Sequence, residues 1–142
     1  MTGSFEVKSV EETWELARRL AGELHPGDVV CLEGDLGAGK TTFVQGLAAA
    51  LGVEGRVTSP TFCLVQEHHR NGESVPALVH MDLYRLKGED DVIAIGWEDY
   101  LADGAILAVE WPERAQSLVP ENARHLRFTH LEGEEHRRID AS

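Results

Sequence analysis

Basic residues are scarce in this chain: 13 Lys and Arg stand against 25 Asp and Glu, a formal net charge of −12 over 142 residues. A protein that grips nucleic acid by itself normally carries a basic face, because phosphate neutralisation dominates that affinity. Direct tight binding of tRNA or DNA is therefore disfavoured, with Arg124, Arg127, Arg137 and Arg138 left as a local basic grouping, and a basic protein partner suits the charge better. Cysteine is nearly absent. Cys31 and Cys63 lie in separate apolar, strand-like runs without C-x-x-C spacing, which argues for buried thiols and against a disulfide or a metal pair. Long hydrophobic runs are missing too: nothing approaches the roughly 20 residues of a membrane span. Residues 1–6 lack the basic and apolar segments of a signal peptide, so a cytoplasmic protein with no membrane partner is expected. There is no internal repeat, low-complexity tract or linker, and one domain over residues 1–142 is the simplest organisation.

What is present is a complete phosphate-binding loop, Gly34-Asp35-Leu36-Gly37-Ala38-Gly39-Lys40-Thr41. Average residue usage would produce such a pattern by accident in roughly one chain in a few hundred of this length. Its surroundings are those the motif requires. Before it, Val29, Val30, Cys31 and Leu32 form a short apolar run suited to a buried strand. After it, Phe43, Val44, Leu47, Ala48 and Leu51 recur with helical period until Gly52. Gly34, Gly37 and Gly39 lack a Cβ, which lets the backbone approach phosphate oxygens with its N–H groups pointing inward. The helix opening near Lys40 adds unpaired N–H groups and the positive end of its dipole. Lys40 supplies a point charge for the β- and γ-phosphates, and the Thr41 hydroxyl is placed for Mg²⁺.

Elsewhere, Ser9-Val10-Glu11-Glu12 reads as a capping box opening a helix to about Leu24, with Trp14, Ala17, Ala21 and Leu24 on one face. Pro26-Gly27-Asp28 is a turn into the first buried strand. An extended stretch begins at Arg56 and is interrupted by Ser59-Pro60-Thr61. Residues 62–67 and 77–81 look like strands joined through Asn71-Gly72, a hairpin signal. Residues 88–101 are expected to form one or two short helices, with Ile93, Ile95, Trp97 and Leu101 available for packing. Residues 106–109 are a third strongly apolar strand, and 125–131 and 136–140 are weaker strand candidates. The fold class is α/β: a P-loop NTPase-like domain whose mixed, mostly parallel sheet is flanked by helices.

A P-loop needs a carboxylate at the end of a neighbouring strand for the metal and its waters. Two positions compete, Glu110 after the run 106–109 and Asp82 after the run 78–81. Open α/β sheets present the carboxyl ends of their parallel strands to the ligand, so either can reach it. Thr61 and Asp82 are candidates to sense a γ-phosphate through the metal. No glutamine stands out for positioning water, and Arg85 and Arg114 are the candidates for an arginine finger, so slow hydrolysis by the isolated chain is expected. His80, flanked by apolar residues, suits a core histidine better than a catalytic base. His68-His69 reads as a solvated strand end, and Trp111 suits either the core or an interface.

Four segments in this order, Gly34 through Thr42, Ser59-Pro60-Thr61-Phe62, His80-Met81-Asp82-Leu83-Tyr84-Arg85-Leu86 and Val109-Glu110-Trp111-Pro112-Glu113, resemble the TsaE (YjeE) family, the small bacterial ATPase of tRNA threonylcarbamoyladenosine (t6A) biosynthesis. The resemblance covers all but the tail. It implies ATP and Mg²⁺ as ligands and work with TsaD and TsaB homologues, which install threonylcarbamoyl on the adenosine beside the anticodon of tRNAs reading ANN codons. Contact with tRNA would then be indirect. It further implies phosphate binding by Gly37, Ala38, Gly39, Lys40, Thr41 and Thr42, metal binding by Thr41 and Glu110, and Thr13 near the nucleotide base. Segments 59–61 and 80–85 would be switch-like loops, and Arg137 is a tail residue that could meet ATP or a partner. The competing readings are a small P-loop kinase, for which the chain shows no arginine-rich lid, and a non-hydrolysing nucleotide switch. The lack of N-K-x-D favours ATP over GTP.

Overall fold

The computed structural model describes residues 1–35, 38–53 and 65–142. Gly37, Ser59, Pro60, Thr61 and Cys63, the extended stretch from Arg56 and the first half of the strand expected at 62–67 lie outside the described residues. Strands β1 (Gly3–Val7), β2 (Val29–Gly34), β3 (Val65–His68), β4 (Leu78–Asp82), β5 (Ile106–Glu110), β6 (Arg124–His130) and β7 (Arg137–Ala141) form one sheet in the order β1-β7-β6-β2-β5-β4-β3. The central four, β6-β2-β5-β4, are mutually parallel. β7 and β3 run against them, and β1, antiparallel to β7, points the same way as the centre. The sheet is thus mixed and mostly parallel, as expected.

The central strands read as continuous apolar runs because both faces are covered. On one face Val30, Leu32, Leu78, Ile106 and Ala108 pack against helices α1 (Val10–Ala21) and α2 (Lys40–Ala50), through Ala17, Leu20, Phe43, Val44 and Leu47. On the other, Val29, Cys31, Val79, Met81, Leu107 and Val109 meet Val92 and Trp97 of the short helices α3 (Glu89–Ala94) and α4 (Trp97–Ala102). Each fully buried large side chain contributes roughly 1.5–3 kcal/mol. Burial also raises the Cys31 thiol to about 12, with Glu33 and Glu113 adding to the effect.

Ser9 caps the helix as expected, Glu12 N–H donating to Ser9 Oγ at 3.1 Å, but the Glu12 carboxylate reaches one residue further back than a capping box requires and accepts from Lys8 N–H at 3.3 Å. The buried face of α1 is nevertheless Thr13, Leu16, Ala17 and Leu20, and Trp14 is 43% exposed. Trp14 sits on the seam with α2, where its backbone and ring edge abut Gly46. In α3 it is Val92 that is buried, and Ile93 is exposed. The solvated strand end expected at His68 is also corrected. Opposite Leu78 on β4, His68 is turned inward and is 8% exposed.

Candidate functional site

The carboxyl ends of β2, β4 and β5 lie side by side, with Glu110 opposite Leu32 on one flank and opposite Asp82 on the other. β2 ends at Gly34, whose φ of +142° and missing Cβ are both required, since a methyl there would lie 2.6 Å from the Phe128 carbonyl oxygen. Gly39, at φ +102°, is the N-cap of α2 and brings no capping side chain. Among the described residues no capping side chain covers the N-terminus of α2, the positive end of its dipole. Thr41 and Thr42 sit in this turn, half-buried, and Ala38 is buried beneath it.

Lys40 folds back across this end of the sheet. Its Nζ donates to the Gly34 carbonyl at 2.5 Å and meets Glu110 Oε1 at 3.2 Å. The other oxygen of the same carboxylate, Oε2, accepts from His80 Nε2 at 2.8 Å. Glu110 and His80 are both buried. Burial alone would raise the Glu110 carboxyl, but the His80 hydrogen bond and the adjacent Lys40 ammonium outweigh it and hold the carboxyl below its ordinary range. The site thus keeps a charged carboxylate and an ammonium together at low exposure, which is costly unless both are fully partnered.

Asp82 is half-buried beside Glu110, and its Oδ1 accepts from Tyr84 N–H at 3.0 Å. Leu83 N–H donates to the Glu110 carbonyl at 3.1 Å, which pins the chain leaving β4 to the end of β5. The residue that follows the end of β5, Trp111, is the one described non-glycine with a left-handed backbone, at φ 60°. Its exposed ring lies against the exposed Tyr84 ring, centroids 4.8 Å apart. The core alternative for Trp111 is therefore ruled out. Arg137, at the start of β7, lays its side chain over Gly39, 3.7 Å from where a Cβ would stand.

A family profile described as "Threonylcarbamoyl adenosine biosynthesis protein TsaE" matches residues 7–139. This chain belongs to the TsaE family. Relatives carrying the name tRNA threonylcarbamoyladenosine biosynthesis protein TsaE include one from Streptomyces coelicolor, 44% identical over 84% of this chain and 80% of its own length. Another, from Aquifex aeolicus, is 40% identical over 86% of this chain and 92% of its own. The crystal structure of YdiB from Bacillus subtilis superposes with a TM-score of 0.73 at 31% identity, covering 98% of this chain and 84% of that one.

Of the residues singled out in this TsaE-family sequence, Lys40 and Glu110 are in contact, Asp82 is the strand-register neighbour of Glu110, and Ala38, Gly39, Thr41 and Thr42 frame the same end of the sheet. Thr13 is buried on α1, and its hydroxyl donates to the Ser9 carbonyl at 3.3 Å, so its hydrogen bond stays within its own helix. Sequence alone did not link His80 to Glu110. Spacing hides the link, because the two are thirty positions apart and meet only through β4–β5 pairing. The one signal was a polar residue in an otherwise apolar strand two positions before a candidate acid. Among the described residues no group of three or more His, Cys, Asp and Glu side chains could hold a metal, and no helix is long and apolar enough to cross a membrane.

Proposed function

We propose that this chain binds Mg·ATP at the end of β2 and hydrolyses it as the nucleotide-hydrolysing component of the t6A machinery, acting with TsaD and TsaB homologues in the cytoplasm and touching tRNA only through them. One observation carries the reading: Lys40, at the start of a helix whose N-cap glycine brings no capping side chain, meets a charged buried carboxylate at 3.2 Å at the carboxyl edge of parallel strands. The donor set fits the ligand. Backbone N–H groups of residues 37–42 would cradle the phosphates, and Lys40 would leave Glu110 Oε1 for the β- and γ-oxygens. Thr41 and Glu110 would hold the metal, directly or through water, with Asp82 beside them. Mg²⁺ bound there would neutralise charge on the transferring phosphoryl group.

Thr61 and Asp82 are proposed to report the γ-phosphate to the partner proteins. Thr13 is proposed to stand near the base and the Arg137 cation near the phosphates. Arg85 is exposed and Arg114 half-buried, and among the described residues the ion-pair partners of Glu110 are Lys40 and His80, with neither arginine, which supports slow turnover in isolation. Phosphate release measured with ATP, alone and with TsaD and TsaB homologues added, tests the proposal. Weak activity that rises in the complex is the expected result. Equal rates with and without the partners, or no release in either, would overturn it.

A further inference from the structure

His80 is fully buried on the sheet face that meets α1 and α2, with Ala108 opposite it on β5. Position 78 on the same face is the apolar Leu78, and packing alone would accept an apolar residue at 80 as well. The imidazole has one polar partner, Glu110 Oε2 at 2.8 Å, and its Nδ1 is buried without a hydrogen bond among the described residues. A carboxylate only accepts, so Nε2 carries the proton and donates. The Glu110 carboxylate is thereby divided. Oε2 is tied inward to a group with no other attachment, and Oε1 faces outward to Lys40.

We infer that His80 is a positioning residue for the metal-binding acid: its Nε2–H holds Glu110 Oε2, so that Oε1 alone points to the cation site when Lys40 moves to phosphate. This rests on the nucleotide reading above. A carboxylate free to rotate would remain bridged to Lys40 or turn inward, and the partners behind metal ligands typically carry roughly a 10–100-fold effect on metal affinity. His80 does not touch nucleotide in this scheme.

The test is calorimetric titration of the full chain with ADP, in EDTA and across a Mg²⁺ series. His80→Leu should leave metal-free ADP affinity as in the parent and raise the half-saturating Mg²⁺ concentration roughly 10–100-fold. His80→Gln, whose amide N–H reaches the place of Nε2, should restore the parent midpoint. His80→Asn, whose amide reaches only the place of Nδ1, should not. If His80→Leu fails to fold, the Gln and Asn pair decides, because both are polar and only one reaches Glu110. A parent-like midpoint in His80→Leu, or equal midpoints in the Gln and Asn variants, would overturn the inference while leaving nucleotide binding intact. Absence of ADP and ATP binding by the parent would instead remove the nucleotide reading and this inference with it.

Discussion

A methyl group at position 34 has nowhere to go. It would stand 2.6 Å from the Phe128 carbonyl oxygen, and φ of +142° is already closed to L side chains. Gly34→Ala is expected to lower stability by roughly 1–3 kcal/mol from backbone strain alone, read as a fall in the urea midpoint. An unchanged midpoint would mean that β2 and β6 separate more easily than their pairing suggests. Gly34 stood out in the sequence as a glycine of the proposed phosphate loop. The reason the structure supplies, the close passage of β6, was not legible, because Phe128 lies far along the chain and arrives only when β6 pairs with β2. Cys31 gives a second prediction at this scale. With its thiol pushed up to about 12 by burial, almost no thiolate exists at neutral pH. Peptide-resolved alkylation should leave Cys31 unmodified in the native chain and label it in denaturant. The raised value also sets a sign: an unfolded thiol ionises above its ordinary value of 9.0 while the folded one stays neutral, so stability should decline as pH rises from 9.0 towards 12.

Between elements, the closest approach is that of α1 and α2. A Cβ on Gly46 would stand 2.9 Å from Trp14 Cα and 3.0 Å from the Ala17 methyl. In an exposed helix Gly→Ala adds about 1 kcal/mol of stability through propensity. Here the intruding atom meets backbone, so Gly46→Ala should instead destabilise by roughly 1–3 kcal/mol, measured by thermal or urea unfolding. A gain in stability would show that the two helices can part at no cost. Periodicity made α2 readable because Phe43, Val44, Leu47 and Ala48, the apolar residues that recur with helical period, are the ones it buries. On α1 it grouped Ala17, Ala21 and Leu24, which do pack in or against the core, with Trp14, which is exposed on the seam with α2. β1 escaped notice altogether: Gly3–Val7 is mostly exposed and owes its conformation to β7 at the far end of the chain. The site followed the same pattern. Lys40, Asp82 and Glu110 are announced by strand ends and a glycine loop, but the His80 bond to Glu110 exists only once β4 and β5 pair in register.

At the scale of the whole molecule, charge separates two ways of taking part in tRNA modification. Neutralising several phosphates requires a concentration of Lys and Arg, and each such contact adds close to one counterion to the salt dependence. With 13 basic against 25 acidic residues, the isolated chain repels a polyanion over most of its surface. Two of the tail arginines are moreover already committed, Arg124 to Glu23 and the Met1 carbonyl, and Arg127 to Glu33. We therefore expect no detectable tRNA binding by this chain alone at low-micromolar concentrations and physiological salt in a filter or mobility-shift assay. Retention should appear only when TsaD and TsaB homologues are added. The same charge predicts that association with a basic face on those partners weakens as salt rises, because screening shortens the attraction to about 8 Å near 0.15 M. The two measurements constrain each other. Salt-sensitive tRNA binding by the chain alone would place a nucleic-acid surface on this protein and remove the need for an intermediary, whereas salt-sensitive binding to the partners with none to tRNA is what the proposed role, an acidic component working through a basic neighbour, requires.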